Sequence, residues 1–159
     1  MRDATDQVPW WATLDTNQKG LIAEAKVLAR AAELGWAASV TQAGARYDLV
    51  LDDGQRLYRA QVKWAGQRRA AGGAVVALTT WQGNGRDRPR GKQRRYADGE
   101  IDVVVAYIPM IDQLCWFDGE HLTKTAIHIR HAPAANGQTH GVLMADDFVW
   151  TAQGNVGRG

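Results

Sequence analysis

The sequence predicts an α+β or mixed α/β fold from the order of its apolar patterns. One long helical pattern covers residues 16–34, and a series of short strand patterns follows it. Few helices and many strands indicate a sheet that carries a small number of helices. The chain has 159 residues, enough for one domain with a substantial core, and no internal repeat or interdomain linker is evident.

The first predicted element is the helix over residues 16–34. Thr16 or Asn17 is suited to cap its start, and Gly35 is suited to end it. Glu24 lies at the edge of the apolar face, where its carboxylate can point along the surface of a sheet. A helical glutamate taken alone is normally a solvated surface residue. The apolar face itself is predicted from the spacing i, i+4, i+7 and i+11 of Leu21, Ala25, Leu28 and Ala32.

The next element is a predicted hairpin over residues 47–65. Residues 47–51 and 58–63 both alternate polar and apolar side chains, as half-buried strands do, and Gly54-Gln55 lies near the middle of their connection. Side chains on one strand face repeat every second residue. The polar faces of the two strands therefore carry Asp48 on the first, and Arg59, Gln61 and Lys63 on the second.

These polar residues match what the hydrolysis of a phosphodiester needs. Mg²⁺ neutralises a phosphate and activates water, and it prefers carboxylate, carbonyl and water oxygens. Asp48 supplies a carboxylate, Gln61 an amide oxygen and Val62 a peptide carbonyl between them. Lys63 supplies an ammonium that can orient water or offset charge on the phosphorane. The alternative is an ordinary cross-strand ion pair between Asp48 and Lys63, because this motif is short and degenerate.

Shorter patterns predict the remaining elements. They are strands near residues 36–41, 74–81, 101–108, 113–117 and 126–131, and a short helix over residues 144–150. Residues 1–15 are interpreted as an N-terminal arm, in which Trp10 and Trp11 dock on the domain or on a partner. Residues 151–159 are interpreted as a disordered tail. The domain is therefore predicted to span residues 16–150.

Positive charge is concentrated in one part of the chain. The net charge is only +2, but residues 56–95 contain eleven Lys or Arg and one acid, about +10, against about −8 elsewhere. Such asymmetry is typical of a protein that binds a polyanion, although a basic run is also compatible with a plain solvated surface. Residues 83–95 are predicted to form a loop that enters a short helical turn. The candidate DNA-binding residues are Arg59, Arg68, Arg69, Arg86, Arg88, Arg90, Lys92, Arg94 and Arg95.

Composition indicates a cytoplasmic protein with no membrane contact. The longest apolar stretch, residues 103–111, has nine residues and contains Pro109, too short for a transmembrane helix. No secretory signal is recognisable at the N-terminus. The single cysteine, Cys115, excludes an internal disulfide and is interpreted as a small core residue rather than a catalytic thiol.

The order of helix, Asp strand and Gln-x-Lys strand resembles the core of the PD-(D/E)XK nuclease superfamily. The sequence is most similar to the prokaryotic PD-(D/E)XK endonuclease family that includes a homing endonuclease encoded in a group I intron. The resemblance covers most of residues 16–150. It is carried by Gly20 and Glu24, by GARYDLV at 44–50, RAQVK at 59–63 and residues 95–108, and more weakly by 128–130 and 134–138.

The resemblance implies a restriction-endonuclease-like core, in which a central mixed sheet is flanked by helices, and a metal-dependent cut of DNA. By that analogy Asp48 binds the metal, Lys63 is the catalytic lysine and Glu24 completes the site. Gln61 stands where the superfamily usually has Glu or Asp, and some members have Gln there. The departure leaves one fewer negative charge at the metal.

The sequence therefore predicts a Mg²⁺-dependent DNA endonuclease, in which Mn²⁺ can substitute. Its partner is double-stranded DNA, and site-specific double-strand cleavage of the homing or restriction type is expected. Since one small domain carries one site, a dimer or higher homo-oligomer is also expected. The alternatives are a Holliday-junction-resolvase-like nuclease, a non-catalytic DNA-binding module on a degenerate nuclease fold, and a protein-interaction domain.

Overall fold

The computed structural model describes residues 8–68, 71–82 and 92–152, without the side chains of Trp81, Gln82 and Lys92. One α-helix, α1 (Thr16–Glu33), precedes all the described strands. The strands are β1 (Ala37–Val40), β2 (Leu49–Asp52), β3 (Leu57–Trp64), β4 (Gly66–Gln67), β5 (Gly73–Ala77), β6 (Thr79–Gln82), β7 (Lys92–Arg95), β8 (Val103–Ile108), β9 (Gln113–Asp118), β10 (Ala126–Arg130) and β11 (Leu143–Met144).

Helix α1 begins at the predicted residue and ends at Glu33, one residue before the predicted end, but it has a different N-cap. The predicted caps Thr16 and Asn17 are wrong, because Asp15 has the extended backbone of a capping residue. Asp15 Oδ1 accepts from the Gln18 N–H at 2.8 Å, and Gln18 Oε1 accepts from the Asp15 N–H at 2.9 Å. This reciprocal pair is a capping box. At the other end Gly35 has φ +73°, which confirms the predicted stop.

The buried face of α1 is not the predicted one. The fully buried helix residues are Ala23, Val27 and Ala31, whereas Leu21 is 67% exposed and Ala25 and Ala32 are also exposed. Small side chains on the buried face let the helix lie close to the sheet. Among the four residues of the predicted face, only Leu28 packs against the core cluster.

The main sheet is mixed, as predicted, and has the order β1-β2-β3-β8-β9. The predicted hairpin is confirmed, because β2 and β3 pair antiparallel with Leu49 opposite Ala60. Strand β3 then pairs parallel with β8, with Ala60 opposite Val103, and β9 adds antiparallel. The strand that carries Gln61 and Lys63 is thus central in the sheet.

Two smaller sheets complete the described fold. One has the order β11-β10-β5-β4, and the other is the β6–β7 pair. The single strand predicted near residues 74–81 is therefore wrong. It divides at Leu78, whose N–H donates to the Thr125 carbonyl, into β5 and β6 of different sheets. Residues 92–95 form β7 and not the predicted helical turn; residues 83–91 lie outside the described part of the chain.

Two apolar cores lie on opposite faces of the main sheet. Helix α1 packs on one face, where Leu49, Val62 and Trp116 are buried. The second sheet packs on the other, where Val76, Val104 and Ile127 meet. Cys115 is fully buried in this second core, which confirms its predicted structural role. The other described helices are single 3₁₀ turns, Gly119–Thr123 and Ala145–Phe148, the latter in place of the predicted helix at 144–150.

The described part of the N-terminal arm docks on the domain. Trp10 meets Trp64 at 6.1 Å between ring centroids, yet remains 55% exposed. Residues 1–7 and 153–159 lie outside the described structure, so the arm and tail boundaries stay predictions. None of the described helices is long and apolar enough to span a membrane.

Candidate active site

Asp48 stands immediately before β2 and is held by the neighbouring strand. Its N–H donates to the Ala60 carbonyl at 3.0 Å, which continues the β2–β3 ladder. Its carboxylate accepts from the Val62 N–H at 2.8 Å and from the Gln61 side-chain amide. Three contacts with one strand therefore fix Asp48, two of them at its carboxylate, and the structure brings together Asp48 and Gln61 as the sequence predicted.

Gln61 presents its nitrogen, not its oxygen, to Asp48. The predicted role of the Gln61 oxygen as a metal ligand therefore requires the amide to turn about its last torsion, which exchanges the two atoms. The Val62 carbonyl needs no such change. In a strand the N–H and C=O of one residue face the same side. Because the Val62 N–H faces Asp48, its carbonyl points toward the same side of β3.

Lys63 lies on the same face of β3 as Gln61, pointing away from the helix. Its ammonium donates to the Thr79 carbonyl at 3.2 Å and lies 5.7 Å from the centroid of the Tyr96 ring. Burial lowers the pKa of Lys63, and the nearby charge of Asp48 opposes that shift. The ammonium therefore has few solvent contacts but keeps an anionic neighbour.

Glu24 approaches Asp48 from the helix. Burial raises the pKa of Glu24, and the charge of Asp48 raises it further. Burial also raises the pKa of Asp48, against opposing contributions from Val62, Lys63 and Gln61. Two desolvated carboxylates, one of which raises the pKa of the other, form a site where a bound cation is stabilising.

Tyr96 is a neighbour of the site that the sequence did not single out. Burial raises the pKa of Tyr96 to about 12, with Asp48 as the second cause, and its hydroxyl contacts the Thr80 side chain. Tyr96 follows β7, whereas Lys63 is in β3. No spacing or periodicity connects the two positions, so only the tertiary structure reveals the contact.

Comparison with known proteins decides the family. The model of the PD-(D/E)XK endonuclease family matches residues 14–151. The chain belongs to the PD-(D/E)XK endonuclease family. Among solved structures it is similar to the bacterial homing endonuclease I-Ssp6803I, with 24% identity and a TM-score of 0.67 over 80% of this chain and 86% of that chain. That likeness supports the fold. No curated protein matches the chain.

PD-(D/E)XK endonucleases are nucleases that act on DNA and generally use divalent metal ions. The donor chemistry of this candidate site suits such an ion, because Glu24 and Asp48 supply two carboxylates and Val62 a carbonyl. Within the described ranges no three His, Cys, Asp or Glu side chains cluster as a metal site. Carbonyl, amide and water oxygens would therefore complete the coordination of a hard cation.

The predicted DNA-binding residues of this PD-(D/E)XK chain fall into three groups: ion-paired, exposed, and outside what the structure describes. Arg59 forms an ion pair with Asp102, whose carboxylate accepts hydrogen bonds from Arg59 Nε and Nη2 at 2.9 Å each. Arg94 is paired in the same way with Glu100 and is only 22% exposed. Arg68 and Arg95 are exposed. Arg69, Arg86, Arg88 and Arg90, and the side chain of Lys92, lie outside what the structure describes.

Proposed function

We propose that this protein is a Mg²⁺-dependent DNA endonuclease that makes a site-specific double-strand cut, of the homing or restriction type. The observation that carries the proposal is the convergence of Glu24, Asp48 and Lys63 at the end of the β2–β3 hairpin. The Asp48 charge shifts the pKa of both of the other groups. Mn²⁺ is expected to substitute for Mg²⁺, since both prefer oxygen ligands.

Asp48, the Val62 carbonyl, a turned Gln61 and Glu24 are the proposed metal ligands. The metal, when bound, supplies neutralisation of the phosphate and activation of water. Before a metal binds, the Val62 N–H and the Gln61 amide keep Asp48 oriented, and the Val62 N–H continues to hold it once Gln61 has turned. In the metal-free protein burial and the Asp48 charge raise the pKa of Glu24, and a bound cation would favour its ionised, ligating form.

Lys63 is the proposed stabiliser of charge on the phosphorane. A half-buried ammonium acts through a lower dielectric than a solvated one, so its attraction for the developing charge is stronger. Its Thr79 contact is with a neutral carbonyl. The positive charge is therefore positioned without being neutralised by that contact.

Double-stranded DNA is the proposed partner, contacted by the basic residues between Arg59 and Arg95. The exposed Arg68 and Arg95 are the described candidates for phosphate contacts, whereas Arg59 and Arg94 approach DNA only as part of their ion pairs. A homodimer or larger homo-oligomer is proposed because one site cuts one strand, and two copies are needed for both.

The deciding experiment is cleavage of supercoiled and genomic DNA with Mg²⁺ or Mn²⁺ by wild type, Asp48→Asn and Lys63→Ala. Asp146→Asn, an exposed carboxylate beside β9, is the matched control. We expect wild type and the control to cut and the two site variants to lose cutting while still binding DNA. Metal-dependent cutting that persists in Asp48→Asn would refute the assignment.

Two alternative functions also involve DNA, and Gln61 motivates one of them. With one fewer anionic ligand, the chain would be a DNA-binding module that does not cut. Binding without cleavage in wild type, with metal-dependent cutting gained in Gln61→Glu, would support that function. A resolvase-like nuclease would instead cut four-way junctions in preference to linear duplexes of the same sequence.

A further inference from the structure

We propose that Tyr96 is a positioning residue for Lys63, holding the ammonium beside Asp48 by the face of its ring. The inference rests on the proposed function, in which Lys63 stabilises charge at the phosphate. It starts from the distance of 5.7 Å between the Lys63 Nζ and the centroid of the Tyr96 ring. A cation within about 6 Å of an aromatic face is attracted by the ring quadrupole.

The ring contact provides electrostatic stabilisation for the half-buried ammonium of Lys63. The ammonium has three donors, and one reaches the Thr79 carbonyl at 3.2 Å. A half-buried ammonium has lost water contacts, and a ring face replaces part of that attraction. A carboxylate in the place of the ring would neutralise the lysine. A neutral ring keeps the charge available for a phosphate.

Tyr96 is itself held in a defined place. It directly follows Arg95, which pairs with Thr79 across the β6–β7 ladder. The ring and the Thr79 carbonyl therefore reach Lys63 from the same end of one two-stranded sheet. A phenol is protonated and uncharged at neutral pH, and burial of Tyr96 raises its pKa further from that range, to about 12.

Glu100 secures the segment that carries Tyr96. Its carboxylate accepts from both Arg94 Nη atoms, at 3.0 and 2.5 Å, and from the Ala97 N–H at 2.8 Å. Arg46, in the loop that leads to Asp48, contacts the same carboxylate at 3.2 Å. Glu100 therefore links the residues on either side of Tyr96 to the loop that precedes Asp48. These contacts fix the position of the ring relative to the site.

The first test compares steady-state cleavage by Tyr96→Leu and Tyr96→Phe. Phe keeps the ring face and removes the hydroxyl, whereas Leu removes the ring. We expect Leu to lower kcat by about 10- to 100-fold with KM changed by less than about twofold, and Phe to restore most of the rate. Phe148→Leu, which removes a half-buried aromatic ring from the second core, is the control and should leave kcat unchanged.

The second test is independent of cleavage. A proton above an aromatic face is shifted upfield by the ring current, so the Lys63 Cε protons in ¹³C-lysine-labelled protein report the contact directly. The chain has five lysines, and the Lys63 signal is the one lost in Lys63→Arg. We expect an upfield signal in wild type and Tyr96→Phe that moves to an ordinary position in Tyr96→Leu.

The outcomes separate the two proposals. An ordinary Lys63 shift in wild type, or an unchanged kcat in Tyr96→Leu, overturns the positioning role. Absence of cleavage by wild type on every DNA tested overturns the proposed function, while the shift still decides whether the ring holds the lysine. If Tyr96→Leu does not fold, Tyr96→Met fills the space with a flexible apolar chain and carries the same two expectations.

Discussion

Asp48 illustrates how a single residue can be costly to stability and essential to the proposed chemistry. Its pKa is raised, with burial as the largest cause, so the folded protein disfavours the ionised form. A group with a raised folded pKa stabilises the fold fully only below its unfolded pKa, and that contribution is lost as pH rises through the folded value. At neutral pH the charge at Asp48 is therefore a destabilising feature that a bound cation would relieve.

Asp48→Asn should unfold at a higher temperature than wild type in EDTA, because the neutral amide avoids the desolvated charge. Added Mg²⁺ should raise the unfolding temperature of wild type and leave that of the variant unchanged, since only the wild type binds the metal. Calorimetry with and without metal checks both parts. An equal metal response in the two proteins would contradict the assignment of Asp48 as a ligand.

Gln61→Glu tests the departure of this chain from the usual acidic residue. One more unit charge about 4 Å from a divalent ion is worth on the order of 2–8 kcal/mol before desolvation, so Mg²⁺ affinity should rise by about tenfold or more. The metal-free protein should be less stable than wild type, because Glu cannot donate the bond that Gln61 gives Asp48. Thermal unfolding at increasing Mg²⁺ concentration measures both effects, and unchanged affinity would exclude position 61 from the metal site.

At the scale of elements, helix α1 shows why its position was predictable and its orientation was not. The capping residues and Gly35 fix its bounds locally. Its buried face depends on the sheet beneath it, where close approach favours Ala23 and Ala31 over the larger Leu21. The apolar spacing of the sequence fits two faces, and only tertiary contact chooses between them.

Val27→Ala should therefore lower the free energy of unfolding by about 2 kcal/mol, because it leaves a void under the helix. Leu21→Ala, the matched variant on the exposed side, should change it by less than about 0.5 kcal/mol. Urea unfolding of both variants measures the difference. A larger loss for Leu21→Ala would mean that the helix packs on the face predicted from the sequence.

The contacts of Glu100 with Arg94, Ala97 and Arg46 make the stability of the fold around the β6–β7 pair depend on pH. Hydrogen bonds from Arg94 are the largest cause that lowers the pKa of Glu100. A lowered folded pKa stabilises the fold above the unfolded pKa, and that stability is lost as pH falls through the folded pKa. Glu100→Gln should be less stable than wild type at pH 7, and the difference should shrink below about pH 4. Urea unfolding at several pH values tests this, and a difference that is constant with pH would contradict it.

The hairpin was predictable because all of its signals are local. Asp48 and Gln61 are 13 residues apart, and alternation on two neighbouring strands places them on one surface. The division of residues 74–81 into β5 and β6 was not predictable, since it depends on the Thr125 carbonyl. The contact of Tyr96 with Lys63 was not predictable for the same reason. It depends on the pairing of β6 with β7, which no local sequence pattern specifies.

For the whole molecule, the uneven charge predicts DNA binding that is strongly salt-dependent. Each phosphate contact releases condensed counterions, so log K should fall linearly with log salt. Arg68→Ala should weaken binding to all DNA sequences and reduce the magnitude of the slope by about 1. Lys124→Ala removes an exposed cation outside the basic residues 56–95 and should leave the slope unchanged. Fluorescence anisotropy over a salt series measures this, and a salt-independent affinity would contradict a DNA-backbone interface.

The parallel pairing of β3 with β8 also determines when during synthesis the site can form. Glu24, Asp48, Gln61 and Lys63 are all made within the first 63 residues. The strand beside them arrives later, since Arg59 and Asp102 are 43 residues apart. A nascent chain that ends before β8 therefore carries the proposed catalytic side chains without the strand that makes β3 central. Assembly of the nuclease waits for the second half of its own chain.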